Sequence, residues 1–147
     1  MPGLLISRQQ RRLLREMRAL SARLPQMMQQ SLPQARQALA PRSAQIELSE
    51  TVVRRLADLA ALLARRSPLG LCLRRSLLRY HFLGRAGLPL GVSFGARFRS
   101  NGGAAAQETA RAIAGHAWVT LHGDPYHERQ ENWRDFHVIY RWTPGEN

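Results

Sequence analysis

A single cysteine, Cys72, is the candidate nucleophile of this sequence. It follows Gly70 and Leu71, where the pattern predicts that a helix begins, and the positive end of a helix dipole lowers the pKa of a thiol. Arg74 and Arg75 push in the same direction. Amide N–H groups at such a helix start can also stabilise the oxyanion of an acyl-transfer intermediate. A lone cysteine is otherwise most often a small buried hydrophobe, so position alone leaves a structural role open.

A catalytic thiol needs a base, and the base needs an orienting partner. Five histidines compete for the first role. His116 is favoured, because Gly115 and Ala117 leave space around its imidazole and Trp118 shares its face of a predicted strand. Trp118 would wall the site from water and contact the substrate. The other four are less suited. His81 is far along the helix of Cys72, and His122 is in a predicted turn. His127 and His137 are on predicted strands without special context.

The acid that would orient His116 is sought in the stretch GHAWVTLHGDPYHE, residues 115–128. Asp124 sits at the predicted turn, about 16 Å or more from His116 along the strand, which is too far for a hydrogen bond. We therefore expect Asp124 to shape the turn.

Glu128 is the predicted third member of the site. A three-residue loop at 122–124 would place Glu128 opposite Trp118, on the face of His116 and one diagonal position away. A register shift of one residue would turn Glu128 to the other face and leave Asp135 as a distant substitute.

The charge of the chain is unusual, with 22 basic and 10 acidic residues and a net charge of +12. No lysine occurs, so all 22 basic residues are arginines. This balance suggests an anionic partner such as nucleic acid, a membrane surface or an acidic peptide, or else a codon bias that replaces surface lysine by arginine. One cysteine excludes an internal disulfide framework and a cysteine-rich zinc site, and it fits a reducing cytoplasm. No apolar run reaches the roughly 18–20 residues that span a bilayer.

Helices are predicted for the first half of the chain. Apolar residues at helical spacing indicate a helix over 8–24, which Pro25 should stop or kink, and 25–45 should form short helical pieces. This N-terminal arm is either a partner-docking or membrane-surface helix or an arm packed on its own domain. A second long helix should begin after the N-cap Ser49, and a third should run over 71–83 and stop at Gly84 or Gly87. The predicted apolar stripe of the helix after Ser49 comprises Val52, Val53, Leu56, Leu59, Ala60 and Leu63.

Strands are predicted for the second half. Alternation over 88–98 indicates a strand buried on one face, and 99–114 reads as an inserted loop that ends in a helical turn. A hairpin over 115–128 and a strand over 136–142 follow. The order of helices and then an antiparallel sheet predicts an α+β domain.

Three motifs resemble those of the lasso-peptide leader peptidases, which are bacterial cysteine proteases that act in microcin-type maturation. They are Cys72-Leu-Arg-Arg-Ser-Leu77, Gly91-Val92 and His116-Ala-Trp-Val119, in order and at matching spacing. The resemblance covers about residues 46–142. It implies a transglutaminase-like, papain-like core over 46–147, preceded by the arm of 1–45, and a catalytic triad of Cys72, His116 and Glu128, since the family's acid falls twelve residues after the histidine.

The resemblance also implies a reaction and partners. The thiolate would cut a ribosomally made precursor peptide between leader and core, with no cofactor and no metal. With no room for a fused leader-recognition domain, the chain is expected to be the discrete form, working with a separate recognition protein and a macrolactam cyclase. Two other classes stay open. The same residues could transfer the acyl group to an amine, as in transglutaminases or acetyltransferases. The chain could also be an arginine-rich nucleic-acid-binding module, although its dispersed arginines argue against this class.

Overall fold

In the computed structural model, helices form the first part of the chain and strands the second. Residues 6–41, 46–98 and 113–144 are described. They divide into two compact units, Met1–Leu88 and Pro89–Asn147, each treated by itself below. The predicted α+β class, with helices first and an antiparallel sheet after them, is confirmed.

Helix α1 spans Arg8–Met27 and begins with a capping box. The Ser7 hydroxyl accepts from the Gln10 amide at 3.1 Å, and the Gln10 side chain accepts from the Ser7 amide at 3.2 Å. The predicted stop at Pro25 is wrong, because the helix continues to Met27. A proline in the last turn removes only one helical bond, which the rest of the helix tolerates. The helix contacts the third and fourth helices of the chain. It buries Leu13, Met17, Ser21, Leu24 and Met27.

Helix α2 spans Leu32–Leu39 within the region where short helical pieces were predicted. It is capped by Ser31 and Gln34 in a second capping box. It is fixed to the fourth helix by His81, whose Nδ1 donates to the Leu39 carbonyl at 2.9 Å. Residues 42–45, also predicted to be helical pieces, lie outside the described residues.

Helix α3 spans Glu50–Leu63, and its predicted N-cap is confirmed: the Ser49 hydroxyl accepts from the Val52 amide at 3.3 Å. Its predicted apolar stripe is only partly right. The buried face is centred on small residues, so Leu59 and Leu63 of the predicted stripe point outward and are 38% and 43% exposed. The buried positions are Val53, Leu56, Ala57, Ala60 and Ala61.

Helix α4 spans Leu71–Arg85, two residues longer than predicted. It ends in a Schellman motif, in which Leu88 N–H donates to the Leu83 carbonyl and Gly87 N–H to the Gly84 carbonyl, both at 3.0 Å. Gly87 has φ +102°, a left-handed conformation that favours glycine. Gly84, the other predicted stop, lies inside the helix, where a Cβ would fall 2.6 Å from Pro41 Cβ.

Two buried arginines join α4 to α3. The Arg79 guanidinium forms a two-pronged ion pair with Asp58, with both N–O distances at 2.7 Å. The Arg74 guanidinium donates to the Ala61 carbonyl through Nε and Nη2, at 3.0 and 2.8 Å, and to the Leu69 carbonyl through Nη1. Arg74 therefore ties the end of α3 and the α3–α4 loop to the first turn of α4.

The second unit contains a four-stranded antiparallel sheet in the order β3-β2-β1-β4. The strands are β1 Leu90–Phe98, β2 Ile113–Leu121, β3 Asp124–Pro125 and β4 His137–Trp142, and a short helix, α5 Gln130–Trp133, precedes β4. Residues 99–112, most of the predicted inserted loop, lie outside the described residues, and the predicted helical turn before 115 is wrong at 113 and 114, which belong to β2.

Strand β1 is central, which corrects the prediction of burial on one face. Val92 of the predicted apolar face is buried, but Ser93 and Gly95 of the other face are buried as well. The register to β4 shifts between Phe94 and Gly95, which pair with Tyr140 and Val138, so Ile139 is an extra residue in β4 and is 70% exposed. No helix of the described residues has the length and apolar character to span a membrane.

The α3–α4 ion pair yields a stability prediction. Asp58→Asn leaves the buried Arg79 cation without its counter-charge and should lower the free energy of unfolding by about 2 kcal/mol. Urea unfolding followed by circular dichroism measures this change. The control is Glu50→Gln, which removes an acid of the same helix whose side chain is 44% exposed and whose ion pair with Arg54 is long, at 3.9 Å. Its cost should stay below about 0.5 kcal/mol, and equal effects of both variants would contradict this account.

The approach of Pro41 to α4 yields a second prediction. Alanine usually stabilises a helix interior relative to glycine by about 1 kcal/mol, but in Gly84→Ala the new methyl group would collide with the Pro41 ring. We expect a net loss of about 1–2 kcal/mol in thermal or urea unfolding. Gly115→Ala is the control, because nothing lies within 4 Å of its added Cβ. A Gly84→Ala protein that is more stable than the wild type would refute the close contact.

Candidate active site

Cys72 is the second residue of α4, as the sequence predicts, and its side chain is half-buried. The N-cap is Gly70, which has no side chain to cap the helix, and Arg74 N–H donates to the Gly70 carbonyl at 3.0 Å. The Arg74 guanidinium binds the carbonyls of Ala61 and Leu69, which gives this residue a structural use beyond the predicted effect of its charge on the thiol. It holds the loop in front of Cys72 in place.

The hairpin after β2 differs from the prediction by one residue. Leu121 pairs with Asp124, so the loop consists of His122 and Gly123 alone, and the predicted three-residue loop at 122–124 is wrong. Both loop residues have positive φ, 53° and 87°, as a type I′ turn requires. The backbone twist of this turn matches that of the flanking strands, and Gly123 adopts the required positive φ without steric cost.

Glu128 lies beside His116 by a route that the sequence did not predict. Strand β3 ends at Pro125, Tyr126 N–H still donates to the Val119 carbonyl at 2.9 Å, and His127 then takes a left-handed conformation with φ 44°. Glu128 therefore leaves the sheet and does not occupy a strand position opposite Trp118. The hairpin register differs from the prediction by one residue, and such a shift would turn a strand residue to the other face of the sheet. It does not turn Glu128 away from His116, because Glu128 lies outside the strand.

The His116 and Glu128 side chains form the central contact of the site. Nε2 of His116 lies 3.2 Å from Oε1 of Glu128 and donates to it, since a carboxylate oxygen only accepts. The Glu128 side chain is 1% exposed and the His116 side chain 12%. A buried carboxylate needs such partners, because an uncompensated charge inside a protein is costly.

Asn132 is a residue of this site that the sequence reading missed. Its Nδ2 donates to the same Oε1 of Glu128 at 3.3 Å, from the short helix α5. Four residues separate the two, the spacing at which helical side chains meet, but no pattern in the sequence indicated a helix there.

Aromatic rings surround the His116 imidazole. Trp118 stacks on it, with ring centroids 5.6 Å apart and planes inclined by 25°, as its shared strand face predicted. Phe136 lies at 5.2 Å and was missed; its only signal is its place just before β4. Gly95 pairs with His116 and leaves room for both rings, because a Cβ there would fall 2.9 Å from the Trp118 indole and 3.0 Å from Phe136. The Arg97 guanidinium lies 4.8 Å from the Phe136 ring centroid.

The remaining candidates lie elsewhere. Asp124 is exposed beside the turn, and Asp135 is exposed between α5 and β4. His122 is exposed in the turn and His137 on β4, as predicted, whereas His127 is in a loop and not on a strand. Within residues 6–41, 46–98 and 113–144, no three His, Cys, Asp or Glu side chains are grouped to hold a metal ion.

The chemistry available to these groups is that of acyl transfer. A thiol at a helix start has amide donors close to it, and an imidazole with a buried carboxylate behind it is an oriented base. Cys72 belongs to the helical unit, and His116 and Glu128 belong to the sheet unit.

Comparison with known proteins gives one family. Neither curated proteins nor solved structures gave a match. A model of the transglutaminase-like superfamily matches residues 8–141, which cover most of both units and contain all three predicted catalytic residues. The chain belongs to the transglutaminase-like superfamily.

Proposed function

We propose that the protein is a cysteine peptidase that removes the leader from a ribosomally synthesised lasso-peptide precursor, with Cys72 as nucleophile, His116 as acid and base, and Glu128 as the group that orients His116. The observation that carries the proposal is the buried hydrogen bond between His116 and Glu128. A family of cysteine-type enzymes and a thiol at the start of α4 support it.

The reaction has two stages. The Cys72 sulfur attacks the scissile carbonyl, the C–N bond breaks, and protonated His116 gives its proton to the leaving amine. Water then attacks the thioester while His116 accepts its proton, which releases the carboxylic acid and restores the thiol. Glu128 stabilises the imidazolium in each stage and keeps its negative charge. Amide N–H groups of the first turn of α4 are the donors for the oxyanion.

The contact with Glu128 supports separate roles for the two ring nitrogens of His116. Nε2 donates to the carboxylate, so Nδ1 is the atom that exchanges a proton with the thiol and with the leaving amine. The rings of Trp118 and Phe136 hold the plane of the imidazole, and they reduce the access of water to its pair with Glu128.

The substrate class and partners rest on the resemblance of the three motifs to lasso-peptide leader peptidases. We propose that a separate recognition protein delivers the leader in a reducing cytoplasm and that a macrolactam cyclase uses the freed amine. Acyl transfer to an amine remains the second candidate, because the same thioester can be resolved by an amine in place of water.

The orienting acid can be tested by a matched pair of variants. Glu128→Gln should lower kcat on a precursor peptide by about a hundredfold or more, because the amide is neutral and no longer selects the productive tautomer. Asp124→Asn should change kcat by less than about twofold, since Asp124 lies exposed beside the turn. Circular dichroism verifies that both variants fold. A large loss in Asp124→Asn with an active Glu128→Gln would overturn the assignment.

The nucleophile and the acceptor are tested together by mass spectrometry. The wild type is incubated with a precursor peptide, its recognition protein and an added primary amine. It should give free leader and free core, each with the mass expected for a hydrolysis product. Cys72→Ala should give neither. An amine-linked product would favour the transferase, and turnover by Cys72→Ala would exclude the thiol mechanism. Salt-sensitive binding of DNA or RNA that Cys72→Ala leaves unchanged, without peptide turnover, would favour the nucleic-acid-binding module.

A further inference from the structure

A groove of about 490 Å³ lies in the helical unit between α1 and the α3–α4 loop. Its residues come from the last turns of α1 and from the chain that leaves α3. They include a pair of arginines and three apolar side chains, and the loop runs directly into Gly70 and the start of α4. The lining residues used here are Ser21, Pro25, Leu63, Arg65, Arg66 and Pro68.

The Ser21 hydroxyl lacks a hydrogen-bond partner among the residues that the structure describes. Ser21 is buried, with 2% of its surface exposed. Pro25 has no N–H, so the Ser21 carbonyl, four residues earlier, also lacks its helical donor. Buried polar groups are nearly always hydrogen-bonded, so the unpaired hydroxyl, next to a carbonyl that has lost its usual helical donor, points to a ligand with polar atoms.

Exposed apolar side chains and positive charge lie together at the end of α3 that lines the groove. Leu63 is 43% exposed, and Leu62, beside it on α3, is 54% exposed. Arg65 and Arg66 follow directly; both are exposed, and neither forms an ion pair within the described part of the chain. Helix α3 has no acidic residue near this end to neutralise them.

We propose that this groove binds an extended peptide segment that carries both apolar and acidic side chains. The apolar side chains pack on Leu62, Leu63 and Pro68, and the carboxylates pair with Arg65 and Arg66. A peptide bond suits Ser21, because its carbonyl can accept a hydrogen bond from the hydroxyl. The loop that lines the groove leads from Pro68 to Cys72 at the start of α4, so we assign the bound segment to the peptide substrate; this last step rests on the proposed function.

Binding can be tested without turnover. Fluorescence anisotropy of the full-length Cys72→Ala protein should detect a labelled peptide of alternating Leu and Glu, and affinity should fall with salt. Replacing Leu by Ser, or Glu by Lys, in the peptide should weaken binding by about tenfold or more. In the protein, Arg65→Glu with Arg66→Glu should cost about tenfold, whereas the control pair Arg11→Glu and Arg15→Glu, exposed on α1 with the same charge change, should cost less than about twofold. Equal losses in the two double variants would overturn the proposal.

Ser21→Ala separates a ligand-binding role from a structural one. The unliganded variant should be as stable as the wild type or more stable, because a buried unpaired hydroxyl is removed, while affinity for the peptide should fall about threefold to tenfold. A destabilised variant with unchanged affinity would contradict the proposal. A dimer in sedimentation that buries this surface and excludes the peptide would also contradict it.

The two proposals fail separately. If the wild type cleaves precursor, Arg65→Glu with Arg66→Glu should raise KM with kcat unchanged, since the groove contributes binding and not chemistry. A wild type that binds the labelled peptide but neither cleaves the precursor nor transfers its acyl group would refute the proposed function and leave the groove. Cleavage with an unaltered KM would refute the groove and leave the function.

Discussion

The burial of one carboxylate is the constraint on which the candidate site depends. Glu128 has a side chain that is 1% exposed, and a charge in that environment requires donors close to it. His116 and Asn132 supply them on the same oxygen. The helix α5, the break in the strand after Pro125 and the missing side chain at Gly95 all serve that arrangement. Each of them either brings a donor to the carboxylate or gives the rings around His116 the space to pack.

The parts of the fold that the sequence predicted depend on local chemistry. Ser49 caps α3 through its own hydroxyl, and the glycine after α4 allows the left-handed end of that helix. Alternation of apolar residues likewise indicated β1, and Cys72 was placed correctly at a helix start because a break and an apolar period meet there. In each of these cases the information lies within a few residues of the chain.

The parts that the sequence did not predict depend on residues distant in the chain. Leu59 belongs to an apolar stripe, yet it is exposed because the neighbouring helices pack against the alanines of α3. Arg74 was predicted only to act on the thiol through its charge, and the position of the Ala61 carbonyl shows why it is buried. In the site, the side chain of Glu128 was predicted from strand geometry, whereas the structure brings it to His116 from a loop. The proximity of these two residues could be anticipated, but not the path of the backbone or the contributions of Asn132 and Phe136.

The left-handed backbone of His127 has a consequence for attempts to stabilise the protein. A residue with a Cβ at φ 44° stores about 1 kcal/mol of conformational strain, so glycine at this position is an obvious choice for raising the melting temperature. Glycine would also widen the range of conformations open to the next residue, whose carboxylate must remain against the imidazole. Thermal resistance and turnover should therefore change in opposite directions at this one position, a trade-off that is common where strain adjoins a working group.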